Sequence, residues 1–258
     1  MSHLDDLLAS TRARIDDARS KINDGALEQR VASVEPPRGF RRALIGPEMA
    51  IIAEIKRASP SKGSLAEGLD AAATARAYVD GGAVAVSVLT EPDRFKGSLD
   101  DLRAASTAGV PTLRKDFILD PFQVHESRAE GADAILLIVR ALGPELATLL
   151  RATRSLGMDA LVEVYDEPDL ERALAVGADL IGVNHRDLET FEVDPERTAK
   201  LAVLVPEEVV LVGLSGVSTR ADVEALRDAG AHAVLVGESL VTAPDPAAKL
   251  RELRGVDR

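Results

Sequence analysis

The chain has 258 residues, of which 46% are hydrophobic and 3% aromatic, with a net charge of −12 and no cysteine. That length holds one large α/β domain or two small ones. The acidic balance argues against a nucleic-acid footprint, the scarcity of aromatics against a base-stacking platform, and the missing cysteine rules out disulfides, thiolate metal sites and cysteine nucleophiles.

The N-terminus, MSHLDDLLAS, is acidic and has neither the basic start nor the apolar stretch of a secretory signal. No run of eighteen apolar residues reads as a membrane helix. A cytoplasmic protein with no membrane partner is expected. From Leu4 to about Arg30, leucines, alanines and charges recur at helical spacing and predict a leading helix. Pro36-Pro37 then interrupts, and a short helical piece follows over residues 40–44. Residues 1–48 read as a helical extension that packs on the body formed by residues 49–258, the whole being a single domain.

From Ala50 a unit repeats: a short apolar run, a polar loop, then a helical pattern that closes on glycine. The closing glycines are alike: Gly82, Gly109, Gly131, Gly157, Gly177 and Gly230 each sit just before the next apolar run, where a left-handed residue ends a helix. The predicted strands are 51–54, 84–89, 112–115, 134–139, 160–163, 180–184, 209–212 and 233–236. Strands alternating with helices imply parallel pairing. Eight such units predict a closed (β/α)8 TIM barrel. An open doubly wound sheet would want a G-x-G-x-x-G turn after its first strand, and that place holds ASPSKGS.

In such a barrel the site lies at the C-terminal ends of the strands. The polar residues there are Glu54, Lys56, Ser87, Lys115, Glu163, Asn184 and Ser215, with Gly237-Glu238-Ser239 after the last strand. Glu54 and Lys56, two apart, share one face of the first strand, and buried charge is costly unless paired or used. Each residue also has a structural reading: Lys115 could pair with Asp116 at the surface, Glu163 could seal the barrel top, and Asn184 could satisfy loop backbone. Together they are harder to dismiss, because barrel interiors are normally filled by Val, Ile and Leu. The loops after strands seven and eight occupy the place where barrels hold a phosphate through backbone N–H groups. The four histidines, His3, His125, His185 and His232, have no metal-ligand spacing, and no metal is expected. Asp93, Arg94 and Lys96 read as solvated, with Phe95 among them a candidate ring contact.

The segments IIAEIKRASPSKG, SVLTEPDRFKGSLDDL, LRKDFILDPFQVHESRAEGADAILLIV, LVEVYDEPDLERALAVGADLIGVNHRDLETFEVD and VLVGESL resemble the indole-3-glycerol phosphate synthase family, from about Ala50 to the end. The E-x-K-x-x-S-P-S and R-K-D-F blocks are more specific than the barrel itself, which hosts many chemistries. The resemblance implies closure and decarboxylation of a phosphorylated anilino-sugar, 1-(2-carboxyphenylamino)-1-deoxyribulose 5-phosphate, in tryptophan biosynthesis, with no cofactor. It implies that Lys115 is the general acid of ring closure, that Glu163 serves the dehydration, that Lys56 holds anionic groups and is a second candidate for the acid role, and that Glu54 and Asn184 orient them; which lysine acts at which step it leaves open. Ser59, Pro60 and Ser61 would lie over the substrate carboxylate, with Ser87 also a substrate contact. Phe95, Phe117, Leu136, Leu188 and Leu235 would enclose the aryl ring, Arg186 nearby. Ser215, Gly216, Gly237 and Glu238 would form the polar rim and phosphate site.

One position departs: before Ser-Gly the family usually carries Glu, and here the triplet is Leu214-Ser215-Gly216. That removes a carboxylate from the polar ring, one suited to Lys56, and raises the competing reading of an altered paralogue that binds a related phosphorylated ligand. The sibling phosphoribosylanthranilate isomerase relies on a cysteine this chain lacks. A Schiff-base aldolase would want a lysine where Ile181-Gly182-Val183 stands. With no exposed heptad, a monomer is expected.

Overall fold

The computed structural model describes residues 3–60, 62–187, 190 and 192–256; Ser61 and Leu188, both expected near substrate, lie outside the described residues. The leading helical pattern is two helices, α1 (His3–Lys21) and α2 (Asp24–Ser33). The break comes at Asn23, whose extended backbone and side-chain oxygen cap α2 by accepting from the Ala26 N–H at 2.8 Å. Ile15 and Leu27 from these helices bury against Phe122 on the barrel's flank.

The segment after α2 crosses to the N-terminal end of the barrel. Arg38 pairs with Asp133 at 2.6 Å, and the Arg41 N–H donates to Asp159 at 2.8 Å. The short helix α3 (Phe40–Ala43) puts Phe40, fully buried, into the barrel floor with Leu44. The extension therefore plugs one end of the barrel with α3 and reaches the other with the start of α1, where Leu4 and Leu7 meet the cavity described below.

Eight parallel strands close into a barrel: β1 (Ala50–Ile55), β2 (Ala85–Leu89), β3 (Thr112–Lys115), β4 (Ala134–Ile138), β5 (Asp159–Val164), β6 (Leu180–Asn184), β7 (Val210–Leu214) and β8 (Ala233–Val236), with β1 pairing β8. All eight predicted strands are present, three with the predicted bounds and five with one or both ends shifted by one or two residues. Val139, for example, leaves β4 to start a helical turn. Alternation sorts the side chains. Ile51, Ala53 and Ile55 pack outward under the helices, whereas Ala50 and Ile52 point into the barrel with Leu113, Leu136, Leu161, Leu180, Val212 and Leu235. Glu54 and Lys115 continue the inward rows, as do Glu163 and Asn184, so the interior changes from apolar to charged toward the strands' C-terminal ends.

The helix punctuation is equally local. Asp70, Ser98, Asp120, Asp166, Thr219 and Asp245 each cap a helix with a side-chain oxygen. The six closing glycines all have positive φ, from 71° at Gly157 to 94° at Gly230.

Candidate active site

A cavity of about 360 Å³ opens at the C-terminal mouth of the barrel. Its charged side is built from β1 and β3. Glu54, nearly inaccessible, receives Lys56 Nζ at 3.2 Å on one oxygen and Lys115 Nζ at 3.5 Å on the other. Burial pushes the Glu54 pKa up, but Lys56 and Lys115 outweigh it and hold the carboxylate below its ordinary value. Burial likewise pulls Lys115 down, and Glu54 and then Glu163 outweigh that, leaving the ammonium above its ordinary value. The surface reading of Lys115 is thereby excluded. Asp116 turns outward instead, to Arg114 at 3.2 Å and to the Thr90 hydroxyl at 2.7 Å. Gly237 makes room for this arrangement, since a Cβ there would collide with the Glu54 carboxylate.

Across the barrel, Glu163 is buried and accepts a hydrogen bond from the Tyr165 hydroxyl. That hydroxyl accepts from Asn184 Nδ2 at 3.2 Å, and Asn184 Oδ1 accepts from the Arg186 N–H at 3.1 Å. Asn184 thus satisfies loop backbone and also faces the cavity.

The apolar side of the wall is Phe117, Leu214 and Leu235 from the strand ends, Phe95 from the loop after β2, and Leu4 and Leu7 from α1. Phe95 is fixed by Glu91, a buried carboxylate that accepts the backbone N–H groups of Asp93, Arg94 and Phe95 at 3.0, 2.7 and 3.1 Å. The Phe95 carbonyl accepts in turn from the Ala58 N–H at 3.2 Å, tying this loop to the one after β1 that carries Ser59 and Pro60.

The third side is made of backbone turns. Ser215 and Gly216 both have positive φ, 69° and 80°; for serine this is a strained conformation. His185 holds it. Nδ1 faces the Ser215 carbonyl at 3.0 Å, which can only accept, and so donates to it; burial keeps the imidazole pKa low, which leaves Nε2 to accept from the Thr198 hydroxyl at 2.7 Å. Next to this turn the short helix Glu238–Val241 begins at Gly237. The Glu238 carboxylate turns to Lys62 at 3.8 Å.

Of the residues predicted from sequence, the structure brings Glu54, Lys56, Ser59, Pro60, Phe95, Lys115, Phe117, Asn184, Arg186, Ser215, Gly216, Leu235, Gly237 and Glu238 to this one cavity. Ser87, Leu136 and Glu163 are not on its wall. All three are buried inside the barrel, and the Ser87 hydroxyl is buried without a hydrogen-bond partner among the described residues. The reading from sequence missed Leu4 and Leu7, Glu91 and Tyr165. Glu91 stands beside Asp93, Arg94 and Lys96, which are exposed as expected and disguise it. Tyr165 was legible as one further step of the inward row 161, 163, 165.

The family model described as indole-3-glycerol phosphate synthase matches residues 4–253. The indole-3-glycerol phosphate synthase of Mycolicibacterium smegmatis is 50% identical over 252 residues, covering 97% of this chain and 93% of that protein. That of Mycobacteroides abscessus is 51% identical over 253 residues, with coverage of 97% and 93%. Among solved structures, a thiamine phosphate pyrophosphorylase from Pyrococcus furiosus superposes with a TM-score of 0.61 at 16% identity, covering 80% of this chain and 94% of that one, a likeness of fold alone. With a matched model spanning nearly its whole length and relatives at half identity, the chain belongs to the indole-3-glycerol phosphate synthase family.

Proposed function

We propose that the cavity closes and decarboxylates 1-(2-carboxyphenylamino)-1-deoxyribulose 5-phosphate to indole-3-glycerol phosphate. The observation that carries this reading is the meeting of Lys56 and Lys115 on one buried carboxylate, Glu54, beside an apolar wall and a strained turn. The aryl carbon bearing the carboxylate attacks the keto carbon, and the carbonyl oxygen takes a proton from Lys115 as the new bond forms. An ammonium supplies both the proton and the charge that the oxygen needs. The bond to the carboxylate then breaks, its electron pair restores the aromatic ring, and CO2 leaves. Finally the new hydroxyl departs as water with a proton from one of the two ammoniums. The adjacent ring CH2 then gives up a proton, which completes the indole; its acceptor in this reading is Glu163, which lies off the cavity wall but is linked through Tyr165 to Asn184 on that wall and interacts with Lys115.

The remaining walls fit the remaining parts of that substrate. Phe95, Phe117 and Leu235 offer an apolar slot that holds the aryl ring near the keto carbon. The loop of Ser59 and Pro60 covers the substrate carboxylate beside Lys56. The Ser215–Gly216 turn and the N-terminus at Gly237–Glu238 present backbone N–H groups for the phosphate. Because Leu4 and Leu7 complete the wall, the extension and the barrel work as one domain. A biosynthetic role on a small phosphorylated substrate supports a cytoplasmic location. Purified protein mixed with this anilino-sugar should develop indole fluorescence in step with CO2 release. Tight binding of the substrate with neither signal would refute the assignment.

A further inference from the structure

We infer that Tyr165 is a positioning residue for this reaction: its phenol holds the Glu163 carboxylate in line with the Asn184 amide, so that dehydration depends on it and ring closure does not. The inference rests on the proposed reaction. Its structural basis is a run of donors with one possible direction. The Arg186 N–H donates to Asn184 Oδ1, which turns the amide NH2 toward Tyr165. The phenol oxygen accepts from that NH2, so its single proton is directed to Glu163.

The ring is fixed as firmly as the hydroxyl. Tyr165 is buried among inward apolar residues that include Leu7 of α1. The Arg140 guanidinium stacks at 4.5 Å from the ring centroid and that of Arg197 lies at 6.0 Å. Arg140 is itself anchored by Asp166 at 2.6 Å and Asp169 at 2.9 Å, and Arg197 reaches back to the Asn184 carbonyl. The charged groups around the residue are therefore Glu163 near the end of β5, Arg140 and Arg197 on neighbouring elements, and Asp169, whose carboxylate accepts the Tyr165 N–H at 3.3 Å. Burial and then Glu163 push the phenol pKa well above its ordinary value, so the hydroxyl remains a donor throughout the working range. A carboxylate held at a buried site by one strong donor keeps a single orientation. Without that donor it is free to turn toward Lys115 alone.

The test is Tyr165→Phe, which keeps the ring between the two arginines and removes only the hydroxyl. Loss of a hydrogen bond to a charged group predicts indole formation slowed about 10- to 100-fold, with KM unchanged within about twofold. In a single turnover, CO2 should appear at the parent rate and run ahead of indole, as the closed, still hydroxylated intermediate accumulates. CO2 and indole staying in step, or a kcat equal to the parent's, would overturn the inference. If the variant does not fold, 3-fluorotyrosine incorporated in a Tyr78→Phe background leaves Tyr165 as the sole, more acidic phenol. The indole step should then change while CO2 release does not, and no change would overturn the inference. If the parent protein itself forms no indole, the proposed function fails and Tyr165 is not at issue.

Discussion

Replacing Glu54 by Gln leaves the side chain's shape and removes the one carboxylate that both ammoniums touch. Each contact, at 3.2 and 3.5 Å, corresponds to about 5 kcal/mol of attraction at an effective dielectric constant of about 20. Much of this offsets the cost of burying the carboxylate, a cost Gln does not carry. The net loss should fall near the 3–5 kcal/mol typical of breaking a buried pair, a large share of a domain's stability but a survivable one. Denaturant unfolding at neutral pH reads it directly. The signs follow from the pKa directions. Glu54 lies below its unfolded value, so its contribution is present above about pH 4.5 and fades as pH falls through the folded pKa. Lys115 lies above its unfolded value, so its contribution is present below about pH 10.5 and fades as pH rises through the folded pKa. In Glu54→Gln the Lys115 pKa should drop, because burial is then opposed by Glu163 alone, and the alkaline limb of the rate profile should move to lower pH. A variant within about 0.5 kcal/mol of the parent, with its alkaline limb unmoved, would refute the reasoning.

Lys115→Ala should abolish indole formation while substrate still binds, measured by kcat and by equilibrium titration; near-parental kcat would remove the acid from Lys115. Glu91→Gln keeps the shape but offers a weaker acceptor to the three amides that fix Phe95. The expected outcome is a KM raised about fivefold to tenfold, from about 1–1.5 kcal/mol of lost positioning, with kcat nearly constant. Ser215→Gly relieves a serine at φ 69° and should raise the unfolding free energy by up to about 1 kcal/mol in a denaturant titration, whereas Ser215→Val should lower it.

The barrel was legible because parallel strands buried on both faces read as continuous apolar runs, and because six of the connections close on a glycine at positive φ just before the next strand. The charged mouth was legible for the converse reason, that Glu54, Lys115 and Glu163 interrupt those runs on the inward face. What was not legible depends on partners distant in the chain. Nothing in LRKDF says that Lys115 turns inward to Glu54 while Asp116 turns outward to Arg114 and Thr90; strand alternation permits it but does not name the partners. Glu91 is hidden in a solvated loop because its acceptors are used by backbone, which leaves no side-chain pattern. The break at Asn23 was missed because the helical spacing of apolar residues continues across it.

Leu214 shows how a local reading of charge can mislead where a three-dimensional one closes. A carboxylate at that position was expected to serve Lys56, and its absence to leave an ammonium short of a partner. In the folded chain Lys56 is already served by Glu54 at 3.2 Å, on the oxygen that Lys115 does not contact. Lys115 in turn feels Glu163 as well as Glu54. Two ammoniums are balanced by two carboxylates, so the charged half of the ring is neutral without a third. The Leu214 side chain, aligned with Asn184 and Leu235 in the neighbouring strands, leans over Gly182, where an added Cβ would come within 2.7 Å of it. Leucine there extends the apolar wall down to the floor beside Asn184. Leu214 thus stands on the side of the cavity that excludes water, and a drier wall strengthens every contact the two ammoniums make.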